Sequence, residues 1–105
     1  MTERPIEDLQ AQIQSWADHY WQGTYWPPLA NLARLTEETG EVARAVNQIY
    51  GPKNVKGSET AATLQEELGD LLFVLFCLAN STGVDLQPGF DGALEKYRVR
   101  DEGGQ

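Results

Sequence analysis

Apolar positions along this chain recur with the spacing of helices, and the pattern divides the chain into four elements. Ile6, Leu9, Ile13, Trp16, Ala17 and Tyr20 return every three or four residues, the mark of an amphipathic helix with one face turned to a core. Pro5 suits the first helical position, and Glu7 and Asp8 favour the positive end of the dipole, so a first helix is predicted over residues 5–21. A second is predicted over residues 28–50, with Leu35, Val42, Val46 and Ile49 as its apolar stripe and Gly51-Pro52 as its stop. The third differs in kind. From Leu64 to Ala79 the apolar side chains surround the axis: Leu64, Leu68, Leu71, Leu75 and Leu78 take one side, and Leu72, Phe73, Phe76 and Ala79 take the others. A helix apolar on every side is a buried helix. Ser58 is its expected N-cap, with Glu59 in the first turn, and Ser81-Thr82-Gly83 closes it. Asp85 is expected to cap a short fourth helix with Pro88 in its first turn, and the ends, residues 1–4 and 102–105, are expected to be disordered.

The pattern therefore predicts a single all-α domain over residues 1–105. A short four-helix chain cannot easily enclose its own third helix. The expectation is a homodimer or homotetramer in which the core helices are assembled into a bundle across subunits.

Acidic residues interrupt this apolar order in two places. Glu67 and Asp70 sit one turn apart inside the buried helix, where a carboxylate must be paired, protonated or bound to a metal. Upstream, Glu37, Glu38 and Glu41 border the apolar stripe of the second helix and do not face away from it. Five acids from two helices can thus meet at one seam. Two like charges about 4 Å apart repel by roughly 4 kcal/mol at an effective dielectric of about 20, which calls for a cation. Oxygen ligands without His or Cys select a hard ion, Mg²⁺ or Mn²⁺ before Zn²⁺. Gly40 and Gly69 lie within the two acid motifs. A mid-helix glycine is unfavourable by about 1 kcal/mol against Ala, so a close approach of another backbone or a ligand is expected there.

The motif Glu37-Glu38-x-x-Glu41 followed by Glu67-x-x-Asp70 resembles the paired EExxE and ExxD signature of the MazG-like nucleoside triphosphate pyrophosphohydrolases. The flanking text is similar too: Pro28-Leu29-Ala30 at the helix start, RLTEETGEVAR, and EELGDLLFVLFCLAN. The resemblance spans roughly residues 9–101. It implies an all-α fold, oligomerisation, and Mg²⁺-dependent hydrolysis of a nucleoside triphosphate to monophosphate and pyrophosphate. It implies Glu38, Glu41, Glu67 and Asp70 as metal ligands, with Glu37 as an additional ligand or as the group that orients and deprotonates water. Such chemistry needs no covalent intermediate, and neither an activated nucleophile nor a GxxxxGK[ST] loop is present in the sequence. Two alternatives stay open: a dUTPase-like or dCTPase-like enzyme acting on one deoxynucleotide, and a non-catalytic helical module with a structural metal site.

Composition narrows the partners. A net charge of −8 and a pI near 4.4 argue against nucleic acid, whose phosphates would be repelled, and require local rescue for a polyanionic substrate. Candidate cations are Lys53 and Lys56 before the ExxD helix, and Lys96, Arg98 and Arg100 near the C-terminus. The resemblance places a Lys-aromatic segment for phosphate binding at Lys96-Tyr97, with Arg100 following. The aromatic stretch containing Trp21, Tyr25 and Trp26 is either a loop packed by its own rings or a base-stacking platform. Trp26 is the candidate base contact. Cys77 reads as a small core residue without an intrachain disulfide partner, and His19 is assigned no role. The N-terminus is polar and the longest apolar run, residues 71–79, is too short to cross a bilayer. The expectation is a soluble cytoplasmic protein with no membrane partner.

Overall fold

The computed structural model describes residues 5–52 and 60–103. These form four helices: α1 (Ile6–Trp21), α2 (Pro28–Tyr50), α3 (Ala61–Thr82) and α4 (Leu86–Gly103). The first two have the expected bounds, save that Pro5 takes the cap position ahead of the first turn. The principal packing is α2 against α3; α1 lies on α3, and α4 lies on α1 after a bend of 118° between α3 and α4. Among the described residues, no single helix is long and apolar enough to cross a membrane.

Two helix ends differ from the sequence expectation. Helix α3 is capped by Thr60, not by Ser58, which lies outside the described residues together with Glu59. The Thr60 hydroxyl accepts from the Thr63 amide at 3.3 Å and the Thr63 hydroxyl from the Thr60 amide at 3.4 Å. This reciprocal pair satisfies two donors at once. At the other end of the chain α4 is not short. It continues through Glu102 and Gly103, which were expected to be disordered, while residues 104–105 and 1–4 lie outside the described set. Arg98 bridges Glu95 and Glu102 one turn to either side, a pairing that supports an exposed helix.

The small core consists of Ala17, Ala45, Val74, Phe76, Cys77 and Ala79. Trp16 and Trp21 of α1 meet Phe73 of α3 edge-on, with centroids 5.5 and 6.2 Å apart, and so fix α1 to α3. A polar network completes the attachment. Asn80 donates to the Gln10 carbonyl and to the Tyr25 hydroxyl, both at 3.1 Å, and accepts from Gln10 Nε2 at 2.9 Å. Gln10 Oε1 then accepts the first amide of α4, that of Leu86, at 2.8 Å. Gly83 makes the sharp exit from α3 with φ of 71°, a left-handed conformation that favours glycine. At Gly51 a side chain would run into the Asn47 carbonyl oxygen.

The described residues do not enclose helix α3. Leu68, Leu72 and Leu75, spaced i, i+4, i+7, remain 47, 48 and 38% exposed.

Candidate active site

Close packing of α2 on α3 brings the two acid motifs together. Glu38 from α2 and Glu67 and Asp70 from α3 each present a carboxylate oxygen, and the three oxygens lie within 4.8 Å of one another. The Glu38 and Glu67 side chains are only 13 and 16% exposed, whereas Asp70 faces solvent. Charges at that spacing repel by about 3 kcal/mol per pair at an effective dielectric of about 20. Glu67 is also largely withdrawn from solvent. Desolvation pushes its carboxyl above the ordinary range, the Glu41, Asp70 and Glu38 charges add to that, and Arg44 opposes it.

Two arginines of α2 interleave with the acids. Arg34 reaches Glu38 at 3.2 Å and Glu37 at 3.8 Å. Arg44 reaches Glu41 at 3.0 Å and, across to α3, Glu67 at 3.5 Å. Glu41 therefore stands beside the three-oxygen cluster, drawn toward Arg44, and not within it. Glu37 is well exposed, at 71%. The donor set is all oxygen, converging and mutually repelling, and so fits a hard divalent cation. Gly40 and Gly69 flank this seam, yet a methyl group at either would meet open space. Among the described residues, nothing supplies the close approach expected there.

Arg34 also reaches the other half of the site. A cavity of about 200 Å³ is lined by Trp21, Trp26, Asn31, Arg34, Phe73, Val74 and Cys77. The Arg34 guanidinium carbon lies 5.4 Å from the Trp26 ring centroid, at cation–π distance. Trp21 is locked edge-on against Trp16 and Tyr25 as well as Phe73, so part of the aromatic stretch is ring packing; Trp26 is half exposed and lines the cavity. Asn31, buried at the start of α2, donates to the Trp26 carbonyl at 3.1 Å and pins the loop. Burial pushes the Cys77 thiol up, with Arg34 pulling the other way.

Of the remaining predicted contacts, Arg98 and Arg100 form ion pairs on α4. Lys53 and Lys56 lie outside the described residues. Lys96 and Arg100 flank the Tyr97 ring at 5.1 and 4.9 Å, Arg100 pairs with Asp101 at 3.0 Å, and Arg98 pairs with Glu95 and Glu102. These ion pairs all stay within α4. Sequence reasoning missed Arg34, Arg44 and Asn31. Arg34 and Arg44 carried a readable signal, since each stands three or four residues from an acid of the EExxE motif.

The MazG nucleotide pyrophosphohydrolase domain family matches residues 27–104. YpjD of Bacillus subtilis strain 168, an uncharacterized protein, is 43% identical over 102 residues, covering 97% of this chain and 91% of YpjD. The uncharacterized YvdC of the same strain is 29% identical over 101 residues. Among solved structures, that of YPJD from Bacillus subtilis superposes with a TM-score of 0.80, covering 92% of this chain and 98% of the other at 43% identity. That of the Bacillus-conserved MazG protein, a nucleotide pyrophosphohydrolase, does so with a TM-score of 0.77, covering 97% and 98% at 38% identity.

Proposed function

The chain belongs to the MazG nucleotide pyrophosphohydrolase family, and on that premise we propose that it hydrolyses a nucleoside triphosphate to the monophosphate and pyrophosphate with Mg²⁺, or Mn²⁺ in its place. The observation that carries this reading is the convergence of Glu38, Glu67 and Asp70 within 4.8 Å beside an aromatic cavity. These three hold the cation, and Glu41 joins them by turning from Arg44. When bound, the ion neutralises phosphate oxygens and supplies a water of lowered pKa.

The chain's own groups do the rest. The cavity takes the base, with the half-exposed Trp26 ring as its stacking surface. Val74 and Phe73 exclude water from that end. Glu37 is the most exposed of the acids beside Arg34 and has the looser of that arginine's two contacts. It is free to orient the attacking water and accept its proton. Lys96, Arg98 and Arg100, with Lys53 and Lys56, are the cations proposed for the outer phosphates. The Leu68, Leu72 and Leu75 stripe is proposed to be covered in a homodimer or homotetramer.

Release of pyrophosphate from a panel of ribo- and deoxynucleoside triphosphates in Mg²⁺ tests the reading. Pyrophosphate and monophosphate should form in equal amounts and cease in chelator. Glu37→Gln should lower kcat about 10²- to 10⁴-fold with Mg²⁺ affinity nearly unchanged. Absence of turnover on every triphosphate would sink the enzyme. A Glu37→Gln defect rescued by excess Mg²⁺ would make Glu37 a ligand.

A further inference from the structure

Arg34 belongs to both halves of the site. It lines the aromatic cavity over Trp26, and it holds Glu38, one of the three converging carboxylates. We propose that Arg34 is an exchange residue, which holds Glu38 while the acid cluster carries no cation and passes to the α-phosphoryl oxygens of a nucleotide once a cation takes Glu38. The inference rests on the nucleotide-hydrolase reading above and assigns a substrate contact within it.

Three observations support it. First, a cation that takes Glu38 neutralises the charge that holds Arg34. Glu38 Oε2 accepts from Arg34 Nη2 at 3.2 Å, and a cation drawn in by Glu67 and Asp70 competes for the same group. Second, the arginine can move. Its side chain is 40% exposed and its second contact, to Glu37, is long at 3.8 Å. Third, its position selects the phosphate. With the base in the cavity and the triphosphate running toward the acids, a guanidinium at the junction meets the phosphate attached to the nucleoside. Its planar fork fits two oxygens of that group.

The competition makes an unusual pair of signs. Removing Arg34 should tighten cation binding and loosen mononucleotide binding, and inorganic pyrophosphate, which lacks the nucleoside-linked phosphate, should be indifferent. Calorimetry on the full chain reads all three without turnover. The probes are Mg²⁺ alone, then the four common deoxynucleoside monophosphates and pyrophosphate in saturating Mg²⁺. For Arg34→Gln the expected results are Mg²⁺ affinity raised several-fold, monophosphate affinity lowered about 10- to 100-fold, and pyrophosphate affinity within about twofold of the parent. Arg34→Lys keeps the charge but not the fork, so it should return Mg²⁺ affinity to the parent value and regain only part of the monophosphate affinity. Unchanged or weaker Mg²⁺ binding by Arg34→Gln overturns the exchange. Equal losses on monophosphate and pyrophosphate, or full recovery by lysine, overturn the α-phosphoryl contact. If the parent hydrolyses triphosphates and these affinities do not move, the proposal fails alone; if the parent binds neither Mg²⁺ nor any nucleotide, the underlying reading fails and takes the proposal with it.

Discussion

Asn80 is the residue on which the attachment of α1 and α4 to the α2–α3 pair can be tested. Its carboxamide makes three hydrogen bonds, to the Gln10 carbonyl, the Gln10 side chain and the Tyr25 hydroxyl, at 3.1, 2.9 and 3.1 Å. Gln10 passes the connection to the first amide of α4, and Tyr25 passes it to Gln14 at 2.9 Å. Asn80→Leu keeps the branching at Cγ, with bulkier methyl groups in place of the amide O and NH2, and removes all three bonds. Each is worth a net of about 0.5–1.5 kcal/mol. The bonds are only partly buried and share partners, so they do not add fully and water replaces some of them. A loss of about 2–3 kcal/mol results. For a domain of this size each kcal/mol moves Tm by about 4–8 °C, so the variant should melt about 10–20 °C below the parent. Because any self-association would add stability by mass action, both must be compared at one protein concentration and without metal. Tyr25→Phe removes only the phenol and should lose about 1 kcal/mol. The double variant should lose less than the sum of the two singles. A Tm for Asn80→Leu within about 3 °C of the parent would refute the reasoning. It would mean that the aromatic contacts of Trp16 and Trp21 on Phe73 hold α1 by themselves.

Two further predictions follow from charge and exposure. Glu67 has a folded-state pKa above its unfolded value, so between the two the folded state binds more protons, and stability from this group falls as pH rises through the folded value. Metal-free Glu67→Gln should therefore melt higher than the parent at neutral pH, the gap closing as pH drops toward the ordinary carboxylate range; a gap that widens on acidification would reverse the assignment. Leu72→Glu, in the middle of the exposed α3 stripe, should convert an assembled protein to monomer by light scattering, and a parent that is already monomeric at micromolar concentration would rule out the shared α3 interface.

How far the sequence could be read depends on the range of the forces involved. Helices α1 and α2 were legible nearly to the residue because their bounds are set by local covalent geometry: Pro5 and Pro28 mark the starts, and Gly51-Pro52 strongly disfavours continuation of α2. The start of α3 was misplaced by two residues because Ser58 has the right chemistry for a cap, while Thr60 has that chemistry and a reciprocal partner three residues on. The length of α4 was underestimated because Pro88, Gly89 and Gly92 weaken its propensity. Side-chain pairing around Arg98 and the packing of α4 on α1 work against that weakness, at a range that a propensity reading does not weigh.

The acid motifs were legible for a different reason. Periodicity put Glu38 beside an apolar stripe and Glu67 and Asp70 inside an apolar helix, and packing α2 on α3 brings the two together. What periodicity could not decide is which acids converge. Glu38 and Glu41 are equivalent by spacing, yet Glu38 joins Glu67 and Asp70 while Glu41 turns to Arg44. The choice lies with the arginines, which a scan for ligands passes over as solvated cations. Five acids against two arginines leave the seam with a formal charge of −3. One divalent cation reduces that to −1, still repelling a triphosphate. An arginine that leaves its carboxylate for the substrate does not change the sum, but it moves positive charge to where the phosphate stands. On the proposed exchange, Arg34 would serve the acids before substrate binds and the phosphate afterwards, a role open to a cation that flanks the acid motif beside Glu38 and closed to one on the far face of α2.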